Sequence, residues 1–129
     1  MKKFEEMNFL LSHYAPVVLR LGIASVFMWF GVSQISNPSM WTNFIPLWAL
    51  STFSLSAQAL VLMNGTAEII GALLLVLNIF ARWVALFLAL HLFGIAYTIG
   101  FNPTGVRDFG LSVATLYIFL KGEDDFSIF

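Results

Sequence analysis

The sequence has no cysteine and little charge: six Lys or Arg and seven Asp or Glu in 129 residues. Without thiols it can form no disulfide, iron–sulfur cluster, thiolate metal site or thiol relay. Any redox chemistry must therefore be carried by something other than a thiol of this chain. A net charge of −1 leaves no basic surface to neutralise phosphates, which excludes nucleic acid as a partner. No charged residue occurs between Arg20 and Glu68. With 10% charged residues, 60% hydrophobic residues and a mean hydropathy of +0.89, the composition excludes an ordinary soluble domain and points to a bilayer.

The apolar residues gather in long runs. Crossing roughly 30 Å of hydrocarbon takes about 20 helical residues, and the segments 15–35, 58–80 and 83–100 have that length. A fourth, 105–120, spans if Arg107 and Asp108 sit at the boundary. The turn signals agree with this division. Pro16 suits a first helical turn, Asn37-Pro38 closes the first span, and Asn102-Pro103-Thr104-Gly105 separates the last two. Only Ala81-Arg82 stands between the second and third, which predicts an antiparallel hairpin. The expected fold is all-α, a single polytopic four-helix membrane bundle. Placing both termini in the cytoplasm puts Lys2, Lys3, Arg82 and Lys121 inside with Arg20 near that face, and leaves only Arg107 outside, so N-in/C-in is the expected topology.

Three further segments lie outside the spans. Phe4, Met7, Leu11 and Tyr14 recur at helical spacing, which suits an interfacial helix before the first span. Glu5 and Glu6 spoil a basic leader, so the first span is read as retained. The uncharged connection from Ser33 to Gln58 carries Trp41 and Trp48 and is expected in the outer interface as an aromatic belt, or as a lid over a pocket. The acidic end GEDDFSIF is expected to be solvated.

Residues three, four and seven apart share a helical face. Arg20, Ala24, Phe27, Gly31 and Gln34 make one inward stripe in the first span. Gly65, Glu68 and Ala72, beside Ala67 and Gly71, make another in the second. In the third, Ala81, Ala85 and Ala89 share one stripe and His91, Gly94 and Thr98 a second; Asp108, Ser112 and Thr115 line the fourth. Glu68 and His91 each lie near the midplane and could meet across the hairpin. Inserting a charged group at a helix centre costs on the order of 2.5 to 3.5 kcal/mol, so such a group faces the bundle interior and marks a pathway, a ligand site or an interhelical hydrogen bond. Glu68 is the first candidate for proton handling, with His91 as proton acceptor or hydrogen-bond partner of a quinone oxygen. Arg20 fits a snorkelling topology determinant and also a ligand-polarising cation. Asp108, next to Arg107, fits a helix start, where it complements the dipole, or a ligand contact. No HxxxH or HxxE spacing is present, and no metal site is expected.

The pieces LRLGIASVFMWFGVSQI, NGTAEIIGALLLVLNIFARW and VRDFGLSVATLYIFL resemble the DoxX-like family of small four-span membrane proteins. Arg20, Glu68 and Asp108 match that family's recurrent polar sites, and Gln34 stands where a lysine is usual. The resemblance implies a four-helix membrane bundle associated with oxidoreductase systems, similar to the membrane subunit of thiosulfate:quinone oxidoreductases and to membrane partners of antioxidant complexes.

The first function expected is therefore a membrane subunit of a quinone-linked redox system in a prokaryotic cytoplasmic membrane. It would bind a quinone-like or other amphipathic molecule through Glu68 and His91, assisted by Arg20, Gln34, Arg107 and Asp108. Phe27, Trp29 and Trp48 would line the mouth. Membrane lipids, an oxidoreductase subunit and further copies of the chain are the expected partners. The alternatives are a non-catalytic scaffold or assembly factor, in which the same charges fix helix packing, and a small transporter or lipid-handling protein.

Overall fold

A computed structural model describes residues 1–122. Its regular elements are all helical: α1 (Lys2–Ser36), α2 (Leu47–Phe53), α3 (Ala57–Leu77), α4 (Ala81–Ile99) and α5 (Pro103–Lys121), with two 3₁₀ turns, Pro38–Met40 and Thr42–Phe44, between α1 and α2. Of these, α1, α3 and α4 are long and apolar enough to cross a membrane. Arg107, Asp108 and Lys121 make α5 more polar than α3 and α4. Beyond Gly122, the acidic end lies outside the described residues.

The long helices pack as two close antiparallel pairs, α1 with α3 and α4 with α5, and the pairs meet along α1–α5 and α3–α4. Small residues set the closeness within each pair. A Cβ added at Gly31 would stand 2.6 Å from Ile69 Cγ1 and 2.8 Å from the Gly65 carbonyl oxygen; one added at Gly65 would stand 2.9 Å from Gln34 Cβ and 3.0 Å from the Gly31 carbonyl oxygen. The two backbones therefore meet at Gly31 and Gly65. On α4 the buried Ala81, Ala85, Ala89 and Ala96 form a shallow face, and α5 turns its buried Gly105, Asp108, Ser112 and Thr115 inward. The hydroxyls of Ser112 and Thr115 donate to Phe109 and Leu111 carbonyls of their own helix, 2.7 and 2.8 Å, which satisfies them without a partner helix. Between the pairs lies an apolar core that includes Phe27, Ala72, Leu75, Leu88 and Ile118.

The helix ends differ in places from the sequence expectation. The turn between α3 and α4 is Asn78 to Phe80, just before the expected Ala81-Arg82, because Asn78 takes the left-handed conformation (φ 57°) that closes α3. Gly100 and the capping Asn102, whose side chain accepts from Gly105 N, close the turn into α5. Pro16 sits inside α1 rather than in its first turn. The helix starts near Lys2 and runs through the proline, giving up one backbone hydrogen bond to the Ser12 carbonyl. At 35 residues and about 1.5 Å per residue, α1 is about 52 Å long, and its first dozen residues are exposed apart from a half-buried His13.

The connection after α1 folds back on the bundle. The Trp41 indole donates to Ser33 Oγ (3.1 Å), and its ring meets Phe30 edge-on at 5.6 Å. Phe30 also lies under the Arg107 guanidinium, 5.7 Å from the ring centroid, a cation–π contact that ties α5 to α1. In α2, Ala49 is the buried residue, whereas Trp48 is exposed.

Candidate functional site

The closest approach of α1 and α3 places Gln34, one turn past Gly31, against Glu68, one turn past Gly65. Gln34 Nε2 donates to Glu68 Oε2 at 3.0 Å. Asn64, one turn before Glu68 on α3, donates through Nδ2 to both Gln34 Oε1 (2.7 Å) and Glu68 Oε1 (3.0 Å). Gln34 and Glu68 are 5% and 4% exposed, so in a low-dielectric interior each of these bonds replaces water that neither residue can reach. Both carboxylate oxygens accept, and both amide nitrogens donate.

His91 approaches from α4. Its Nε2 is 3.7 Å from Glu68 Oε1, beyond hydrogen-bond range. That nitrogen is buried and has no hydrogen-bond partner. The rest of the side chain is 26% exposed on the flank of the structure, stacked parallel to Phe87 at 6.0 Å. Glu68 and His91 lie near the middle of α3 and α4 respectively. His91 thus connects the buried carboxylate to the outer surface of the helices, and its inward nitrogen is unsatisfied. A buried polar atom of this kind costs about 1 to 3 kcal/mol unless something pairs with it.

The other candidates lie elsewhere. Arg20 Nη1 donates to the carbonyls of Leu75 (2.6 Å) and Val76 (3.1 Å) in the last turn of α3; the Leu75 carbonyl also accepts from the Asn78 N–H (3.1 Å), so Arg20 adds to the cap that Asn78 begins. Arg82 does the same for α5 by donating through Nε to the Phe119 carbonyl (3.1 Å). These arginines hold helix ends, each from the first helix of its pair. A cavity of about 10 Å³ beside Arg20 is lined by Pro16, Asn78, Tyr117 and Lys121, room for about one water. Arg20, Arg82 and Lys121 therefore share one end of the structure, the basic end. At the opposite end, Asp108 Oδ1 accepts from Nε and Nη2 of Arg107, both at 3.3 Å. Asp108 is buried, and the Arg107 side chain is 59% exposed.

The expected mouth is not assembled from its three aromatics: Phe27 is in the core at 2% exposure, while Trp29 and Trp48 are on the surface. Phe27 shares the stripe of Ala24 and Gly31, which faces α3 and α5, and Trp29 is two positions further round the helix. Gly94 and Thr98, placed on a stripe with His91, are exposed. Asn64 was missed as a site residue. Its signal was its position four before Glu68, where a side-chain amide reaches a carboxylate on the same face.

No curated protein and no solved structure matches the chain. The sequence pattern of the DoxX family matches residues 15–100, a stretch that contains Arg20, Gln34, Asn64, Glu68 and His91 and stops before α5. Two-thirds of the sequence, three apolar helices of spanning length and a polar cluster at mid-helix depth are accounted for together, and the chain belongs to the DoxX family of integral membrane proteins.

Proposed function

We propose that this protein is the membrane subunit of a quinone-linked redox system, and that Glu68 and His91 bind the head group of a quinone-like amphipathic molecule. The unpartnered Nε2 of His91, 3.7 Å from the Glu68 carboxylate, is the observation that carries this reading. A quinone carbonyl or hydroxyl is small, uncharged and lipid-borne. It can approach a histidine whose ring is partly exposed on the flank of the helices, take a hydrogen bond there, and exchange a proton with the neighbouring carboxylate. Gln34 and Asn64 position that carboxylate by holding its two oxygens. Arg107 and Asp108, at the α5 end, are available to a second polar group on the ligand, and Arg20 acts through the packing of α3.

In the same proposal α5 is the fourth span, and both termini are cytoplasmic. Support comes from the grouping of Arg20, Arg82 and Lys121 at one end and Arg107 at the other, the asymmetry expected of basic residues about a membrane. A prokaryotic cytoplasmic membrane is the proposed location, and an oxidoreductase subunit the proposed partner.

The test is lipid analysis of gently purified protein, combined with quenching of its tryptophan fluorescence by added quinone analogues. Co-purifying quinone, depleted at least tenfold in Glu68→Gln and His91→Phe, is expected. Quinone-free extracts together with fluorescence indifferent to the analogues would overturn the proposal. The scaffold alternative has one observation in its favour, the complete pairing of Gln34, Asn64 and Glu68 across two helices; under it, Glu68→Gln would leave partner assembly intact.

A further inference from the structure

We infer that the Glu68–His91 site selects the hydroxyl form of its ligand over the carbonyl form, a hydroquinone over the matching quinone. This rests on the reading that a quinone-like head group binds there, and adds which oxidation state the side chains recognise. The selection comes from the way Glu68 is held.

Gln34 Nε2 donates to Glu68 Oε2 and Asn64 Nδ2 to Glu68 Oε1, while Asn64 Nδ2 also donates to Gln34 Oε1. Turning the Gln34 amide over would set its oxygen against Glu68 Oε2 and its nitrogen against Asn64 Nδ2. Only one orientation satisfies all three bonds. Gln34 cannot swing aside either, because its Cβ lies where α1 and α3 touch, 2.9 Å from the place a Cβ would take on Gly65. Glu68, at 4% exposure, is therefore pinned with both oxygens turned to donors. A carboxylate accepts at about four positions, and Oε1 keeps one for the side on which His91 stands.

His91 Nε2 lies 3.7 Å from that oxygen, buried and without a partner. Two lone pairs would repel at this separation, so Nε2 carries the hydrogen. A donor and an acceptor so far apart do not bond each other, yet one oxygen can stand off the line between them at about 2.8 Å from each. That oxygen must accept from Nε2 and donate to Oε1. A hydroxyl does both. A carbonyl oxygen accepts from Nε2 but sets its other lone pair against the carboxylate, an acceptor facing an acceptor in a low-dielectric interior. The pinned carboxylate cannot turn away from it.

The ring of the ligand stays on the flank. The His91 side chain is 26% exposed there, and Phe87, 57% exposed, lies parallel to the imidazole at 6.0 Å. These two rings give a planar body an apolar surface to rest on while one hydroxyl reaches inward. A hydrogen bond to a charged acceptor is among the stronger ones, and a site that requires a hydroxyl discriminates against the analogue that lacks it.

The test uses the full chain in lipid nanodiscs, with equilibrium binding of a labelled short-chain benzoquinone and of its hydroquinone measured anaerobically against empty nanodiscs. The hydroquinone is expected to bind at least tenfold more tightly than the quinone. Hydroquinone dimethyl ether, which keeps the acceptors and lacks the donors, should bind no more tightly than the quinone. In Glu68→Gln the preference for hydroquinone should fall below twofold; the wild-type comparison needs no variant, so it decides the matter even if Glu68→Gln does not fold. Equal affinities, tighter quinone, a dimethyl ether that matches the hydroquinone, or an unchanged preference in folded Glu68→Gln would overturn the inference and leave the quinone site standing. No binding of any of the three compounds would overturn both.

Discussion

Two buried polar regions lie at different depths, and they satisfy their polar atoms in different ways. At the basic end, Arg20 and Arg82 donate to main-chain carbonyls of Leu75, Val76 and Phe119. Every helix leaves such carbonyls short of partners in its last turn, so a cation there complements both the dipole and the hydrogen-bond count. Near the middle of α3 and α4 the backbone is already paired within each helix. Glu68 must find side-chain donors, and it takes them from Gln34 and Asn64, while His91 Nε2 finds none. Buried charge at a helix end is explained by the helix; at mid-helix it is explained by packing only until one atom is left over.

The sharpest way to break this comparison is to separate the helices that create the mid-depth cluster. Gly31→Leu should drive α1 from α3, because even a Cβ there meets Ile69 and the Gly65 carbonyl. A loss of about 3 kcal/mol or more, with little folded protein recovered in mild detergent, is expected; wild-type thermal stability would show that the contact does not set the crossing. Next come the end caps. Arg20→Ala should cost about 2 kcal/mol by removing the donor that caps the Val76 carbonyl and supports that of Leu75, lowering the melting temperature without changing the affinity for quinone analogues in the protein that folds. If affinity fell in step, Arg20 would belong to the site and the division between the two regions would fail.

At mid-depth the signs should reverse. Glu68→Gln keeps the shape and removes the charge, but its amide leaves one acceptor for the two donors of Gln34 and Asn64, so a stability loss of about 1 to 2 kcal/mol is expected, while bound quinone falls at least tenfold. A large loss of stability with unchanged quinone would assign Glu68 to packing. Asn64→Leu should be smaller still, about 1 kcal/mol, with the effect read as weakened ligand binding. Smallest of all, Trp48→Ala on the exposed face of α2 should alter stability by less than about 0.5 kcal/mol. A larger change, measured by thermal unfolding, would mean that the face is covered in the membrane.

Much of this organisation is legible from residue type and spacing. Three apolar runs dictate three helices of spanning length, because an unpaired backbone is too costly in hydrocarbon. The stripe from Arg20 to Gln34 and that from Gly65 to Ala72 announce inward faces, since small residues and lone polar groups have no reason to face lipid. Even the meeting of Glu68 with His91 follows from equal depth in a hairpin. The partners of each polar group do not follow. Periodicity says which face of a helix is buried but not which neighbour it faces. Thus the Gln34 partner, the capping duty of Arg20 and Arg82 and the core position of Phe27 were decided only when the helices crossed at Gly31 and Gly65. The continuation of α1 through Pro16 belongs with these, because a proline permits a helix to begin or to pass, and only the surrounding structure chooses between them.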